Sequence, residues 1–239
     1  MRSLRAAIVF LTRFPVGVGP SGPPPLHRVV PWFPIVGALI GAVVGLAYVG
    51  LSQVLPLTLS AAIVISFSVA LTGAFHLDGL ADSADAFAGG TTVEQRLEIL
   101  KDSRLGTYGT SALVLVLLIE MTALGVLSPR DGFIGLISAH AIGRAAAVLV
   151  MVMNKRAAKE GLGADYIHEL SRVRCLLGVV AASGLVVFLN GPKGLLLLVF
   201  AVPPASLMWA WSHRSIGGVV GDSLGAIAQL SQASVLVGV

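Results

Sequence analysis

Apolar residues in this chain occur in long runs rather than in the short alternating stretches of a soluble sheet protein. Most runs are about 20 residues long, the length that an α-helix needs to cross the hydrocarbon core of a bilayer. Helices satisfy their own backbone hydrogen bonds in lipid, so we predict an all-α, polytopic membrane bundle. It has about seven transmembrane helices, with six as the alternative. The predicted spans cover approximately residues 32–55, 57–77, 108–127, 132–153, 175–189, 195–211 and 219–239.

The polar segments between these spans divide the chain without suggesting a second domain. We predict one transmembrane domain over residues 1–239, because no polar segment is long enough to fold separately. Residues 1–31 form an N-terminal interfacial segment and a loop that is rich in proline. The two long polar segments, 76–107 and 154–174, are the main loops, and the first holds half of the twelve acidic residues.

A stripe of small residues in the first span predicts close helix packing. Gly37, Gly41 and Gly45 recur every four residues and therefore share one face of a helix. Small residues at this spacing let two membrane helices approach each other closely. We expect another helix to lie directly against this face.

The distribution of charge orients the chain in the membrane. Only 12% of the residues are charged, about half the share of a soluble protein. Thirteen of the sixteen Lys and Arg residues lie in the N-terminal segment and in alternate loops, two lie in the other loops, and Arg144 lies in a span. The positive-inside rule puts the N-terminus and both long loops in the cytoplasm. The net charge of +4 follows from this topology, so no nucleic-acid partner is predicted.

An acidic run follows the second span and is the strongest candidate for chemistry. Asp78, Asp82 and Asp85 are spaced so that they share one face of a helix, where like charges repel. A bound cation would relieve this repulsion, and a set of carboxylates favours Mg²⁺ or Mn²⁺. Gly79 would allow a ligand to approach the backbone, and His76 could act as a general base or orient a carboxylate.

A second polar element, residues 101–109, lies just before the third span. Asp102 could complete a metal site, and Lys101 or Arg104 could neutralise phosphate charge. Arginine is the better bidentate partner for phosphate.

A third element, residues 217–226, places Asp222 at the cytoplasmic end of the last predicted span, at the same membrane level as Asp78. An ionisable residue at such a position is a candidate functional group. Gly221 and Ser223 suit a turn that binds phosphate through its backbone.

Two charged residues are predicted to lie deep in the membrane. Glu120 and Arg144 lie at similar depths when counted along their spans, so an ion pair between them is expected to be structural. Arg144 could instead reach towards the cytoplasmic side and bind an anionic substrate.

These motifs resemble the cobalamin synthase family, the adenosylcobinamide-GDP ribazoletransferases. The resemblance is carried by residues 75–85 (Phe-His-Leu-Asp-Gly-Leu-Ala-Asp-Ser-Ala-Asp), 101–109 (Lys-Asp-Ser-Arg-Leu-Gly-Thr-Tyr-Gly) and 221–226 (Gly-Asp-Ser-Leu-Gly-Ala), with weaker support from residues 10–15 and the Gly143-Arg144 pair. It covers about residues 8–232. The chain departs from the family pattern at Gln229 and Gln232, where glutamates are common, and this puts any contribution of those acids to a metal site in doubt.

The resemblance implies an enzyme that joins adenosylcobinamide-GDP to α-ribazole or its 5′-phosphate, giving adenosylcobalamin or its phosphate and releasing GMP. It also implies Mg²⁺ as cofactor, with Mn²⁺ as an alternative, and a multi-pass protein of the bacterial cytoplasmic (inner) membrane. The predicted site residues are, as catalytic groups, His76, Asp82, Asp85 and Arg104; as metal ligands, Asp78, Asp82, Asp85, Asp102 and Asp222; and as substrate-binding groups, Arg13, Gly79, Lys101, Arg104, Arg144, Gly221 and Ser223.

Two other functions are considered. A CDP-alcohol phosphotransferase also uses an acidic Asp-Gly helix, but Asp82 stands where that pattern has arginine. An ion-coupled transporter would use Asp78, Asp222 and Glu120, yet most of the acids cluster at one membrane face rather than at the midplane. Beyond the substrates and the lipid bilayer, a homo-oligomer or a complex with other corrinoid-assembly enzymes is a further expectation.

Overall fold

All regular structure that the computed structural model describes is helical, and it covers residues 2–17, 22–154 and 170–239. Most of the predicted loop 154–174 lies outside the described residues. A short 3₁₀ helix, Val30–Trp32, joins the second and third helices. The α-helices are α1 Arg2–Leu11, α2 Leu26–Val29, α3 Phe33–Leu51, α4 Leu57–Thr72, α5 Phe75–Gly89, α6 Val93–Ile99, α7 Thr107–Gly125, α8 Pro129–Met153, α9 Arg172–Asn190, α10 Lys193–Phe200, α11 Val202–Ile216 and α12 Gly221–Gly238.

The predicted membrane bundle is confirmed, although fewer helices than seven are clearly apolar enough to span. Within the described residues five segments qualify: Leu26–Leu51, Thr107–Gly125, Pro129–Met153, Arg172–Asn190 and Lys193–Ile216. The pair α4 and α5 would add a sixth if it were counted as one bent span.

The predicted last span falls on α12, which is helical but is not among the apolar spans. Asp222, Gln229 and Gln232 place polar side chains along this helix. It tolerates them because it lies inside the bundle, packed against α5, α7, α8 and α11, with two thirds of its residues buried. The central position of α12 brings polar side chains from several helices together.

The glycine stripe of the first span packs as predicted. A methyl group added at Gly37 or Gly41 would overlap the backbone of α8, and one added at Gly45 would lie 2.8 Å from the Phe133 ring. Helices α3 and α8 therefore touch along their backbones, which side chains larger than hydrogen would prevent.

The second predicted span ends earlier than expected. Helix α4 stops at Thr72, and α5 starts at Phe75 after a turn of 89°. The turn uses a left-handed backbone at both Gly73 (φ 63°) and Ala74 (φ 59°). Ala74 costs about 1–2 kcal/mol in this conformation because its Cβ crowds the carbonyl oxygen. Helix α5 therefore leaves the direction of α4, and by itself it is not one of the five apolar spans among the described residues.

Candidate active site

The acidic residues of α5 share one helix face, as their spacing predicts. Asp78 is exposed, Asp82 and Asp85 are half-buried, and His76 and Gly79 on the other side are buried. Helix α5 is therefore amphipathic: small and apolar residues face the bundle, and carboxylates face outwards.

Helix α12 brings Asp222 to this acidic face. A methyl group added at Gly79 would lie 2.7 Å from the Asp222 carbonyl oxygen, and one added at Gly225 would lie 3.5 Å from the Gly79 Cα. The two helices cross in direct contact at these glycines. The segment that approaches the Gly79 backbone is therefore α12, and a ligand contact at Gly79 stays a prediction.

Negative charge accumulates on this surface without compensation from the protein. The pKa of Asp82 is raised to about 7. Partial burial is the largest cause, and the negative charges of Asp78, Asp222 and Asp85 add to it. No ion pair between described residues reaches the Asp78, Asp82 or Asp222 carboxylate. We call these three residues the acidic surface. Their oxygen donors suit a hard divalent cation.

The acidic surface is not a closed metal cage. Within the described ranges, no three carboxylate, imidazole or thiol groups stand together with the geometry of a metal site. An incomplete shell fits Mg²⁺, which usually takes one or two carboxylates and fills its other positions with water and substrate phosphates.

The structure gives Asp85 a structural contact. Its carboxylate accepts hydrogen bonds from the backbone N–H groups of Gly106 (2.7 Å) and Gly109 (2.8 Å), at the start of α7. A carboxylate is favoured there because the first N–H groups of a helix lack partners and carry partial positive charge. This contact ties the end of α5 to α7, while the predicted metal and catalytic roles of Asp85 stay predictions.

Asp102 and Arg104 bind each other on an exposed loop. The Arg104 guanidinium contacts the Asp102 carboxylate at 2.5–3.0 Å, and the Arg104 side chain is 87% exposed. Hydrogen bonding to Arg104 lowers the pKa of Asp102 to about 2. Lys101 is exposed beside them. The structure thus places this loop near α5 through Asp85, but it gives Asp102 a cation from the protein as partner.

Arg13 lies at the other end of the acidic helix. Its backbone N–H donates to the Leu71 carbonyl oxygen at 2.8 Å, and its exposed side chain crosses over Gly73, where an added methyl group would overlap it. The sequence separation between Arg13 and Asp78 hides this proximity, which arises because α1 packs beside the corner between α4 and α5.

The two residues predicted to form a phosphate-binding turn on α12 differ. Gly221 is exposed, with open space beside it. Ser223 is fully buried, and its hydroxyl accepts from the Val220 N–H (3.0 Å) and donates to the Val220 carbonyl oxygen (2.9 Å). The Ser223 hydroxyl therefore caps α12, and substrate binding through the backbone of Gly221 and Ser223 stays a prediction.

A buried polar chain lies behind the acidic surface. Arg144 bonds the Gln232 side-chain oxygen and contacts His76 Nδ1 at 3.4 Å, and Gln232 Nε2 donates to Glu120 at 2.8 Å. The predicted ion pair is corrected in one respect: Gln232 lies between the two charges, so they do not meet directly. His76 and Arg144 face this chain and are 7% and 2% exposed, which separates them from the outward face where catalysis and substrate binding were predicted.

The sequence reasoning overlooked the two glutamines. Gln229 Nε2 also donates to Glu120, at 2.9 Å. A signal was present, because amides at positions 229 and 232 lie three apart in an otherwise apolar helix and need buried partners. They were considered only as substitutes for acids at a metal site.

Comparison with known proteins identifies the family. Residues 3–239 match the family model described as cobalamin-5-phosphate synthase. The chain belongs to this family. An adenosylcobinamide-GDP ribazoletransferase of Stutzerimonas stutzeri (strain A1501) is 39% identical over 241 residues, covering 100% of this chain and 97% of that protein. Proteins with the same name from Klebsiella pneumoniae (strain 342) and Azorhizobium caulinodans are 36% and 37% identical, covering 97% and 98% of this chain and 96% and 93% of the relatives.

The family membership confirms the resemblance seen in the motifs. This is a transferase family of cobalamin biosynthesis, which assembles the nucleotide loop of cobalamin. The apolar helices agree with a multi-pass membrane protein. No solved structure matches the chain.

Proposed function

We propose that this protein joins adenosylcobinamide-GDP to α-ribazole, or to α-ribazole 5′-phosphate, and releases GMP. A ribose hydroxyl of the ribazole attacks the phosphorus attached to cobinamide, the bond from that phosphorus to the bridging oxygen breaks, and GMP leaves with that oxygen. The attacking hydroxyl gives its proton to a general base, for which Asp82 and Asp85 are the predicted groups on the outward face of α5. When the 5′-phosphate is the substrate, the nucleophile is a hydroxyl other than the 5′ one, since the 5′ oxygen is already esterified.

The observation that carries the proposal is the uncompensated charge of the acidic surface in a member of this family. Asp78, Asp82 and Asp222 would hold Mg²⁺ there. The cation would relieve their mutual repulsion, which adds to the effect of partial burial in raising the pKa of Asp82. A metal ion at this position supplies charge neutralisation for the pyrophosphate as GMP departs. A CDP-alcohol substrate or an ion gradient has no comparable support.

Cations of the protein flank the acidic surface and suit the remaining negative charge. Arg13 lies over the corner that precedes α5, and Arg104 lies on the loop that Asp85 ties to the end of α5. Both side chains are exposed. Arginine binds phosphate oxygens in a bidentate manner, so these two residues are proposed to orient the pyrophosphate from opposite ends of the helix. Lys101 contributes charge beside Arg104.

The direct test is a reaction with purified protein. Adenosylcobinamide-GDP, α-ribazole and Mg²⁺ are incubated with the protein in detergent, and GMP and the corrinoid product are measured. We expect equimolar GMP and adenosylcobalamin, and none of either when α-ribazole is omitted. Folded protein that forms neither product would overturn the proposal.

We further propose that the protein lies in the bacterial inner membrane and that the site is on its cytoplasmic side. Cys175 is the single cysteine and is buried, which makes single-cysteine labelling feasible. Ser103→Cys, beside Arg104, should react with a membrane-impermeant maleimide only in inside-out vesicles. Arg130→Cys, in the exposed first turn of α8, is the matched control and should react only from the other side. The reverse pattern would contradict this orientation.

A further inference from the structure

We propose that Glu120, Gln232 and Arg144 are positioning residues for the acidic surface, acting through His76. This inference rests on the proposed function, because it concerns the metal that Asp78, Asp82 and Asp222 would hold. The proposed reaction gives these buried groups no role.

Helix α5 has two polar anchors. Among the described residues, its side chains hydrogen-bond to other helices only through His76, in its first turn, and Asp85, in its last turns. Its contact with α12 consists of glycine and apolar packing, and satisfied polar contacts specify a single arrangement of helices more strongly than such packing does. His76 therefore sets how the first turn of α5, which carries Asp78, is rotated against the bundle.

The partner of His76 is itself held in place. The Arg144 guanidinium is buried, and Gln232 bridges it to Glu120 by offering its carbonyl oxygen to the arginine and its amide to the carboxylate. Without this bridge the guanidinium would need another acceptor, since a buried charge left unpaired costs several kcal/mol. The chain Glu120–Gln232–Arg144–His76 thus joins α7, α12, α8 and α5.

The same chain connects both carriers of the acidic surface. Gln232 lies on α12, ten residues after Asp222, and His76 lies two residues before Asp78 on α5. A hydrogen-bonded path therefore runs between the two helices on the side opposite the carboxylates. Partners of this kind, outside the ligand shell, typically change metal affinity by about 10-fold to 100-fold when they are removed.

The test measures Mn²⁺ binding to the purified full-length protein by electron paramagnetic resonance, with the metal alone as probe. Gln232→Leu removes the bridge at similar volume. We expect its Mn²⁺ dissociation constant to rise about 10-fold or more, with the number of sites per folded protein unchanged. A merely structural role would instead reduce the number of sites, because the molecules that remain folded would bind as before.

Two further variants make the test specific. Tyr48→Phe is the matched control, since the Tyr48 hydroxyl is buried and hydrogen-bonds the Leu124 carbonyl oxygen (2.8 Å) at the opposite end of α7. It should leave the dissociation constant unchanged. The exchange Glu120→Gln with Gln232→Glu keeps one carboxylate and one amide, and it puts the carboxylate directly on Arg144. It should restore most of the affinity that Gln232→Leu loses.

The outcomes separate this proposal from the reaction. An unchanged dissociation constant in Gln232→Leu, or an equal rise in Tyr48→Phe, overturns the positioning role. Wild-type protein that binds Mn²⁺ but releases no GMP overturns the reaction alone. Both the metal assignment and the positioning role are overturned if the wild-type protein has no saturable Mn²⁺ site. They are also overturned if Asp78→Asn leaves that site intact.

Discussion

The two sides of helix α5 differ in whether their charged side chains have partners within the protein. On the buried side, Gln232 bridges the Arg144 charge to the Glu120 carboxylate, and Gln229 donates a second hydrogen bond to that carboxylate. On the outward side, Asp78 and Asp82 face Asp222, and no ion pair between described residues reaches any of these three carboxylates. Charge that is compensated internally serves the fold, whereas charge left uncompensated at a surface is available to a ligand. This difference assigns structure to one side and chemistry to the other.

The largest effect is expected on the outward side. Asp78→Asn removes a carboxylate from the acidic surface, and turnover should fall by at least about 100-fold, as when a group that stabilises the transition state is lost. Thermal stability should be retained, because the substitution relieves repulsion. GMP release and thermal unfolding of the detergent-solubilised protein measure the two effects.

Asp131→Asn is the control for this variant. Asp131 also lies in the first turn of a helix, but at the opposite membrane face, where its carboxylate accepts from the Ser128 hydroxyl at 2.7 Å. It should leave turnover unchanged. Near-normal activity of Asp78→Asn would remove Asp78 from the metal site.

A substitution on the buried side of α5 should lower the stability of the protein. Arg144→Met leaves the Glu120 carboxylate without its countercharge, and breaking a buried pair in this way costs about 3–5 kcal/mol. Adding Glu120→Gln should recover part of the loss, because the isolated charge is then gone. The midpoint of thermal unfolding measures both steps. A single variant as stable as the wild type would mean that the buried chain does not stabilise the bundle.

Asp85 belongs to the outward face of α5, but like the buried groups it has hydrogen-bond partners within the protein. Asp85→Asn keeps a carbonyl oxygen for one of the two backbone N–H groups but loses the charge that favours the start of α7. We expect a loss of about 1 kcal/mol in stability, as for a weakened helix cap. The Mg²⁺ concentration for half-maximal turnover should be unchanged. A rise in that Mg²⁺ concentration would show that Asp85 is a metal ligand after all.

The smallest effect is expected at the exposed loop. Asp102 already has Arg104 as its partner, so Asp102→Asn should leave stability unchanged and should reduce turnover far less than Asp78→Asn. The main effect of Asp102→Asn should be a weaker affinity for adenosylcobinamide-GDP, because Arg104 loses the carboxylate that orients its guanidinium. Steady-state kinetics with varied substrate check this. A loss of turnover equal to that of Asp78→Asn would support the predicted metal role of Asp102.

Much of this protein follows from its sequence alone. Long apolar runs require helices in lipid, the glycine spacing of α3 requires a close neighbour, and the spacing of Asp78, Asp82 and Asp85 requires one shared face. These conclusions hold because they depend on helix geometry within single segments. The motifs of residues 75–85, 101–109 and 221–226 likewise identified the family, since they need no knowledge of their arrangement in space.

Only the tertiary structure decided which neighbours these residues have. Periodicity did not show that two left-handed residues, Gly73 and Ala74, end the second span and turn α5 by 89°. It also did not show that Gly79 faces α12, that Ser223 caps its own helix, or that Gln232 separates Glu120 from Arg144. Such contacts join residues that are distant in sequence, and they depend on how whole helices rotate and cross. A spacing rule within one helix determines which face a side chain occupies, whereas packing between helices determines what that face meets.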